Sequence, residues 1–179
     1  LLYQLGFLYA SLNKQGEALN HYQKVLKLAR ALGDRAREAA TLNDIALIDY
    51  ACQDYERACQ HWKEALTIQE RIRDQAEEAR TLNNIATIPY VRGEYAKAQK
   101  YLEKALAIYR NIRNTKYQIG QGTTLNNLSQ VYRARGDDES ALRYLKDALT
   151  IQQAIGDQAG KSTTLNNLSA IYQARGDYD

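Results

Sequence analysis

Asparagine amides in a recurring block are the side chains of this chain best suited to pairing with a partner. The block occurs four times, as Thr41-Leu42-Asn43-Asp44, Thr81-Leu82-Asn83-Asn84, Thr124-Leu125-Asn126-Asn127 and Thr164-Leu165-Asn166-Asn167. Each amide has a donor and an acceptor that can pair with the backbone of an extended or helical peptide. Asparagine is a poor helix former, so a row of asparagines needs a reason. Either these amides bind a partner, or they bond between successive copies of the block and set how the copies stack.

Other reactive side chains indicate neither catalysis nor a metal site. His21 and His61 occupy equivalent positions of successive copies, about 10 Å or more apart by helix packing, whereas zinc ligands converge at about 2 Å. The Gly-rich stretch 120–124 has no lysine and no preceding strand, both of which a phosphate loop requires. The carboxylates are scattered, and no Ser/His/Asp or Cys/His set is present. We therefore expect no catalytic residue, metal or cofactor.

The overall composition is that of a helical protein without a membrane span. The chain has 14 tyrosines, one phenylalanine and one proline, and 45% of its residues are hydrophobic. Its net charge of +3 is too small to indicate nucleic acid by itself, and no apolar run approaches the roughly 20 residues of a membrane helix. Two cysteines are too few for a disulfide framework, so a cytoplasmic location is expected. Because methionine is absent and the chain stops where a further helix should begin, we expect a piece of a longer array.

The recurring block belongs to a unit of two helices. Helix A contains the block, and helix B contains a second apolar set at helical spacing, such as Ala98, Leu102 and Ala105. Breaks after helix A fall at Asn13, Gln53, Gly93, Gly136 and Gly176, and breaks after helix B fall at Gly33-Asp34, Arg73-Asp74, Arg113-Asn114 and Gly156-Asp157. The Asp or Asn of the second set can cap the next helix A. We predict nine helices in one array over residues 1–179, with repeats at about 1–34, 35–74, 75–114, 115–157 and a half repeat at 158–179.

Small residues and two irregularities refine this prediction. Small side chains at the Ala86 and Ala98 positions let helices A and B approach closely, while larger residues fill the gaps. Pro89 lies inside a helix A, where a proline costs about 3 kcal/mol, so we predict a kink near residues 85–89. An insertion of three residues within 116–122 predicts a late or irregular start of the fourth helix A.

These features resemble the tetratricopeptide repeat (TPR) in its long form of roughly 40 residues. The resemblance rests on a small residue, a tyrosine, Gly-Asp-Tyr, Ala and Ala-Leu in that order, as at Ser169, Tyr172 and 176–178. The Leu-Asn-Asn start of helix A is similar to that of kinesin light chains. The linker at 155–160 is similar to that of bacterial and cyanobacterial multidomain TPR proteins. The resemblance implies an all-α fold, a right-handed α-solenoid of about four and a half repeats.

The resemblance also implies a partner-binding site on the concave face lined by helix A. Positions three before, one after and four after the small residue are expected to be exposed there: Asn43, Asn83, Asn126, Asn166; Leu47, Thr87, Gln130, Ala170; Tyr50, Tyr90, Arg133 and Gln173. Arg133, with Arg80, Arg135, Lys161 and Arg175, allows two interpretations. Either these cations make part of the groove basic and suit an acidic peptide, or they are solvated charges at turns and helix ends.

The function implied is a scaffold that binds a peptide or partner protein, as the sensor or adaptor part of a larger bacterial protein. One alternative is a structural spacer, or an array that self-associates through exposed end repeats. Single-stranded nucleic acid is a less favoured ligand, because the tyrosines fall mostly at packing positions.

Overall fold

The computed structural model describes residues 1–112 and 114–176. Within them the chain forms nine α-helices and no strand, which confirms the all-α class. The helices are α1 (Leu2–Ser11), α2 (Gln15–Leu32), α3 (Arg35–Ala51), α4 (Tyr55–Ile72), α5 (Gln75–Val91), α6 (Tyr95–Asn111), α7 (Gln118–Ala134), α8 (Asp138–Ile155) and α9 (Gln158–Arg175). Odd-numbered helices are A helices, and even-numbered helices are B helices.

Contacts divide the chain into two compact units, Leu1–Thr81 and Leu82–Asp179, which we call unit 1 and unit 2. Each unit has buried clusters of its own. The organisation of all repeats as a single array stays a prediction.

Three of the A helices, α3, α5 and α9, begin at the side-chain caps that the sequence predicts. Asp34 accepts a hydrogen bond from the backbone N–H of Arg37 at 2.9 Å, and Asp157 accepts one from Gly160 at 2.9 Å. Asp74 accepts one from Glu77 at 3.3 Å. Each cap satisfies a backbone N–H that has no partner inside its own helix.

The breaks after the A helices depend on residues with positive φ. Gly93 and Gly136 have φ of 76° and 80° there, whereas Asn13 and Gln53 fill the same role at 58° and 63°. Glycine adopts this left-handed region without steric cost, and asparagine tolerates it better than most residues. The predicted breaks are therefore confirmed in repeats with and without glycine.

The insertion before the fourth A helix forms a separate short element. Residues Thr115–Tyr117 make a 3₁₀ turn, capped by the Asn114 side chain, which accepts from the N–H of Lys116 at 2.9 Å. Helix α7 follows only at Gln118, so the prediction of an irregular start is confirmed. Helix α5 continues through Pro89, and the predicted kink there stays a prediction.

The core of unit 1 combines small and large side chains from α1 to α4. Ala18 and Tyr22 pack with Ile45 and Ile48, while a second cluster joins Ala39, Leu42, Ala65 and Ile68. Gly6 is buried against the Tyr22 ring, and a Cβ built on this glycine would lie 2.8 Å from Tyr22 Cε1. The first repeat thus has glycine, where the others have alanine or serine, because the Tyr22 ring occupies the space of a Cβ.

The core of unit 2 confirms the packing role of its small residues. Ala86 of α5 and Ala98 of α6 belong to one buried cluster with Leu102, Leu125 and Leu128. A second cluster contains Ala141, Leu142, Leu145 and Ile171. Because alanine lets backbones approach closely, leucines from neighbouring helices fill the remaining volume.

Gly6→Ala is expected to lower the free energy of unfolding by about 1–3 kcal/mol, because the added methyl group overpacks the Tyr22 site. Gly16→Ala is the matched control, since no atom lies within 4 Å of a Cβ built there. Urea unfolding of both variants provides the measurement. Equal stability of Gly6→Ala and the wild type would show that the ring has room to move.

Candidate partner-binding site

The first asparagine of three of the four blocks forms hydrogen bonds inside the protein. In unit 2, Asn126 Nδ2 donates to Thr164 Oγ1 at 2.8 Å and to the carbonyl oxygen of Gly122 at 3.2 Å. Its Oδ1 accepts from Asn167 Nδ2 at 3.2 Å. Both N–H groups and the carbonyl oxygen of this amide are therefore hydrogen-bonded. Two of these three bonds go to the following A helix, α9.

The same bond recurs at two other blocks. Asn83 Nδ2 donates to Thr124 Oγ1 at 2.7 Å in unit 2, and Asn43 Nδ2 donates to Thr81 Oγ1 at 2.8 Å in unit 1. We call these three bonds, Asn43–Thr81, Asn83–Thr124 and Asn126–Thr164, the asparagine–threonine ladder. Each bond joins one A helix to the next, which is the stacking alternative for the asparagine row.

The expectation that these asparagines are exposed was wrong for three of the four. Asn43, Asn83 and Asn126 have exposed fractions of 0%, 7% and 5%. Each of them packs against the next A helix, whose threonine lies within hydrogen-bond distance of the amide. Asn166 is exposed, as expected. The threonine two residues before each asparagine was the available signal, since its hydroxyl supplies the partner.

Between the first and second repeats, a tyrosine and a carboxylate replace the two asparagines of this contact. Tyr3 Oη donates to Asp44 Oδ2 at 2.5 Å, where unit 2 pairs the two amides of Asn126 and Asn167. Burial is the main reason that the pKa values of both Tyr3 and Asp44 are raised. The hydrogen bond from Tyr3 and the charge of Arg80 oppose part of the increase for Asp44.

A groove in unit 2 brings together several of the other predicted residues. It has a volume of about 50 Å³ and is lined by Asn83, Ala86, Thr87, Tyr90, Leu102, Asn127, Gln130 and Val131. Gln130 is exposed, and its amide has no hydrogen bond to any described residue. Thr87 Oγ1 donates to its own helix, to the carbonyl oxygen of Asn84 at 2.7 Å. Gln130 is thus the groove residue with the most hydrogen-bonding capacity left for a partner.

Asn127 is a groove residue that the predicted set omitted. Its Nδ2 donates to Asn83 Oδ1 at 3.4 Å, and the same residue lines the groove. The second asparagine of the pair is thus both a stacking residue and a lining residue.

The remaining predicted positions lie outside this groove. Tyr50 belongs to unit 1 and packs against Tyr55 and Trp62, with ring centroids 5.4 and 5.9 Å apart. Leu47 is exposed on α3, and Ala170 is half-buried on α9. Gln173 Nε2 donates to Ser169 Oγ at 3.3 Å within α9.

The predicted cations differ in the hydrogen bonds and ion pairs that they form within the protein. Arg133 is exposed, and its Nη2 donates to the carbonyl oxygen of Ala170 at 3.3 Å. Arg135 donates to Gln99, and Arg175 lies 3.7 Å from Asp138. Arg80 pairs with Glu77 in its own helix. The helix-end interpretation therefore fits Arg135 and Arg175 better than it fits Arg133.

The two histidines have structural neighbours in the part of the chain that is described. His61 Nδ1 lies 2.7 Å from Asp49 Oδ2, and Arg57 Nη2 lies 3.5 Å from the other oxygen of this carboxylate. His21 stacks on Tyr9, with ring centroids 5.3 Å apart. Asp49 stands where three of the other repeats have tyrosine, and its contacts with His61 and Arg57 were not predicted. Among the described residues, no group of three or more His, Cys, Asp or Glu side chains is arranged to hold a metal ion.

None of the described helices combines the length and the hydropathy that crossing a membrane requires.

Helix pairs joined by short turns, with repeated contacts between successive A helices, define the class of all-α solenoid repeat proteins. The tetratricopeptide repeat family matches residues 1–32, 37–111, 77–154 and 120–179. The chain therefore belongs to the tetratricopeptide repeat family, as the sequence predicts.

The solved structures of similar fold include the following three. BtubC (BKLC) from P. vanneervenii is 28% identical with a TM-score of 0.77, over 87% of this chain and 63% of that one. A kinesin light chain-like repeat protein from Podosopora anserina is 17% identical with a TM-score of 0.75, over 99% and 86% of the two chains. A Rap protein complexed with competence and sporulation factor is 16% identical with a TM-score of 0.81, over 97% and 51%. This chain thus spans 63% of the first and about half of the third, and no curated protein matches it.

Asn126→Ala is expected to lower the free energy of unfolding by about 2 kcal/mol, because Thr164 and Asn167 lose a buried partner. Asn166→Ala is the matched control, since this asparagine is exposed on the equivalent turn of α9. Both variants are compared by urea unfolding. If they unfold at the same urea concentration, the ladder bond does not contribute to stability.

Asp44→Asn is expected to stabilise the protein at neutral pH. The pKa of Asp44 is raised in the folded state, chiefly by burial, so its ionisation favours the unfolded chain. The stability contributed by this group is complete below its unfolded pKa of about 4 and is lost as pH rises through the folded pKa. Urea unfolding of Asp44→Asn and the wild type at pH 3 and pH 7 should show that the substitution raises the free energy of unfolding more at pH 7. An equal or smaller gain at pH 7 would contradict the assignment.

Proposed function

We propose that unit 2 binds an extended segment of a partner protein or peptide in the groove between α5 and α7. The observation that carries this proposal is the groove beside the exposed Gln130 side chain, whose amide has no partner among the described residues. The ladder asparagines are occupied by their neighbours, so the polar contacts with a partner fall to other groups at the groove wall.

The lining suits a peptide that places one apolar side chain in the groove. Tyr90, which is half-buried, supplies the accessible apolar surface. It packs on the buried cluster of unit 2, whose Leu102 and Val131 form the floor of the groove. Asn127 and Gln130 supply amide groups, which can pair with peptide N–H and C=O groups. Apolar surface with a few placed polar groups is the usual composition of a ligand site.

Two kinds of TPR protein of similar fold support this proposal. One is the Rap protein described as complexed with competence and sporulation factor, and another is a Rap conjugation gene regulator of plasmid pLS20 in complex with the Phr* peptide. A third structure, from Pyrococcus horikoshii, is a signal transduction ATPase with a tetratricopeptide repeat sensor. We propose for this chain the corresponding role, the sensor or adaptor part of a larger protein, without catalysis by its own residues.

Gln130→Ala is expected to weaken binding of groove peptides about fivefold or more, because one or two hydrogen bonds to the peptide backbone are lost. The probe is a random 12-residue peptide library displayed on phage and selected on the wild-type chain. Selected peptides are synthesised, and their Kd values are measured with each variant by fluorescence anisotropy.

The matched control is Gln153→Ala, an exposed glutamine on the B helix α8. We expect it to leave the Kd unchanged. Selected peptides that bind Gln130→Ala as tightly as the wild type would place the site elsewhere, and a library that yields no binder would reject the peptide-binding function.

A further inference from the structure

Charge is distributed unevenly among the A helices of unit 2. Residues 82–91 of α5, together with α7 and α9, contain no aspartate or glutamate, and they contain three cations, Arg133, Lys161 and Arg175. Every carboxylate on the described A helices lies in unit 1, on α3 and on the start of α5. The A helices of unit 2 themselves therefore present no carboxylate to an acidic partner, and the neighbouring Asp138 of α8 faces Arg175.

Arg133 is the cation of this set that lies next to the groove. It follows Gln130 by three residues on α7, and residues three apart on a helix are neighbours about 5–6 Å apart. Gln130 itself lines the groove. A peptide that contacts Gln130 consequently runs past the Arg133 guanidinium one turn further along α7.

The Arg133 guanidinium also has capacity for a ligand. Its single hydrogen bond to a described residue is the 3.3 Å contact from Nη2 to the carbonyl oxygen of Ala170, and no described carboxylate pairs with it. A guanidinium has five N–H donors, and two of them in parallel match the two oxygens of a carboxylate. The nearby cation Arg175 already faces Asp138, and Arg135 is directed to Gln99.

We propose that Arg133 pairs with an aspartate or glutamate side chain of the partner and makes the groove selective for acidic segments. This inference rests on the proposed peptide-binding function and specifies the chemistry of the peptide. The preferred segment has an apolar residue that packs against Tyr90 and an acidic residue a few positions away, in reach of Arg133.

The test compares the wild-type chain with Arg133→Gln and Arg135→Gln in parallel selections. The probe is a library of random 12-residue peptides whose C-termini are fused to the phage coat protein, so that any selected carboxylate belongs to a side chain. Arg135→Gln removes the same charge two residues away and is therefore the matched control for net charge.

Wild type and Arg135→Gln are expected to enrich peptides with aspartate or glutamate near an apolar residue. Arg133→Gln should enrich apolar residues without acidic ones, and it should bind the wild-type acidic peptides about tenfold more weakly. Replacing the acidic residue by its amide should cost the same factor with the wild type and nothing with Arg133→Gln.

Peptides without acidic enrichment on the wild type, or acidic enrichment that survives Arg133→Gln, would overturn the role of Arg133 while leaving peptide binding in place. A selection that yields no peptide at all would instead reject the proposed function. Circular dichroism of each variant, with unchanged helical signal, shows that lost binding is not lost folding.

Discussion

The bond from a buried asparagine amide to a threonine hydroxyl of the next A helix is the interaction on which the rest of the structure depends. A buried amide without a partner costs about 1–3 kcal/mol, so neighbouring A helices are held to the one register that satisfies it. In unit 2, the register set by Asn126 and Thr164 also places Asn167 against Asn126. Apolar packing supplies most of the stability of such repeats, but it is less directional than this bond.

The ladder separates two kinds of position on the A helices. Ladder positions keep the same residue types, Asn and Thr, because each must match its neighbour. The position one residue after the small residue differs in every repeat, from Phe7 through Leu47, Thr87 and Gln130 to Ala170. A surface whose side chains can change without disturbing the stacking is well suited to acquire selectivity for different partners.

Much of the fold could be predicted from the sequence, because it depends on local chemistry. Helix starts follow from caps such as Asp34 and Asp157, and breaks follow from residues that accept positive φ. The insertion before α7 was also visible as a change in repeat length. The burial of Asn126 was not predicted, because it depends on a hydroxyl 38 residues away in sequence. The pairing of Asp49 with His61 was missed for a related reason, because it depends on how α3 packs against α4.

The short 3₁₀ turn at Thr115–Tyr117 shows how this architecture tolerates changes of length. The ladder bonds join residues 38, 41 and 38 positions apart, yet their lengths are 2.8, 2.7 and 2.8 Å. The three additional residues are taken up before the threonine, so the contact between the helices is unaffected. Repeats of unequal length are therefore interchangeable modules as long as each supplies the threonine and the asparagine. Duplication, loss or exchange of repeats can thus alter the exposed surface of the A helices while preserving the hydrogen bonds that join them.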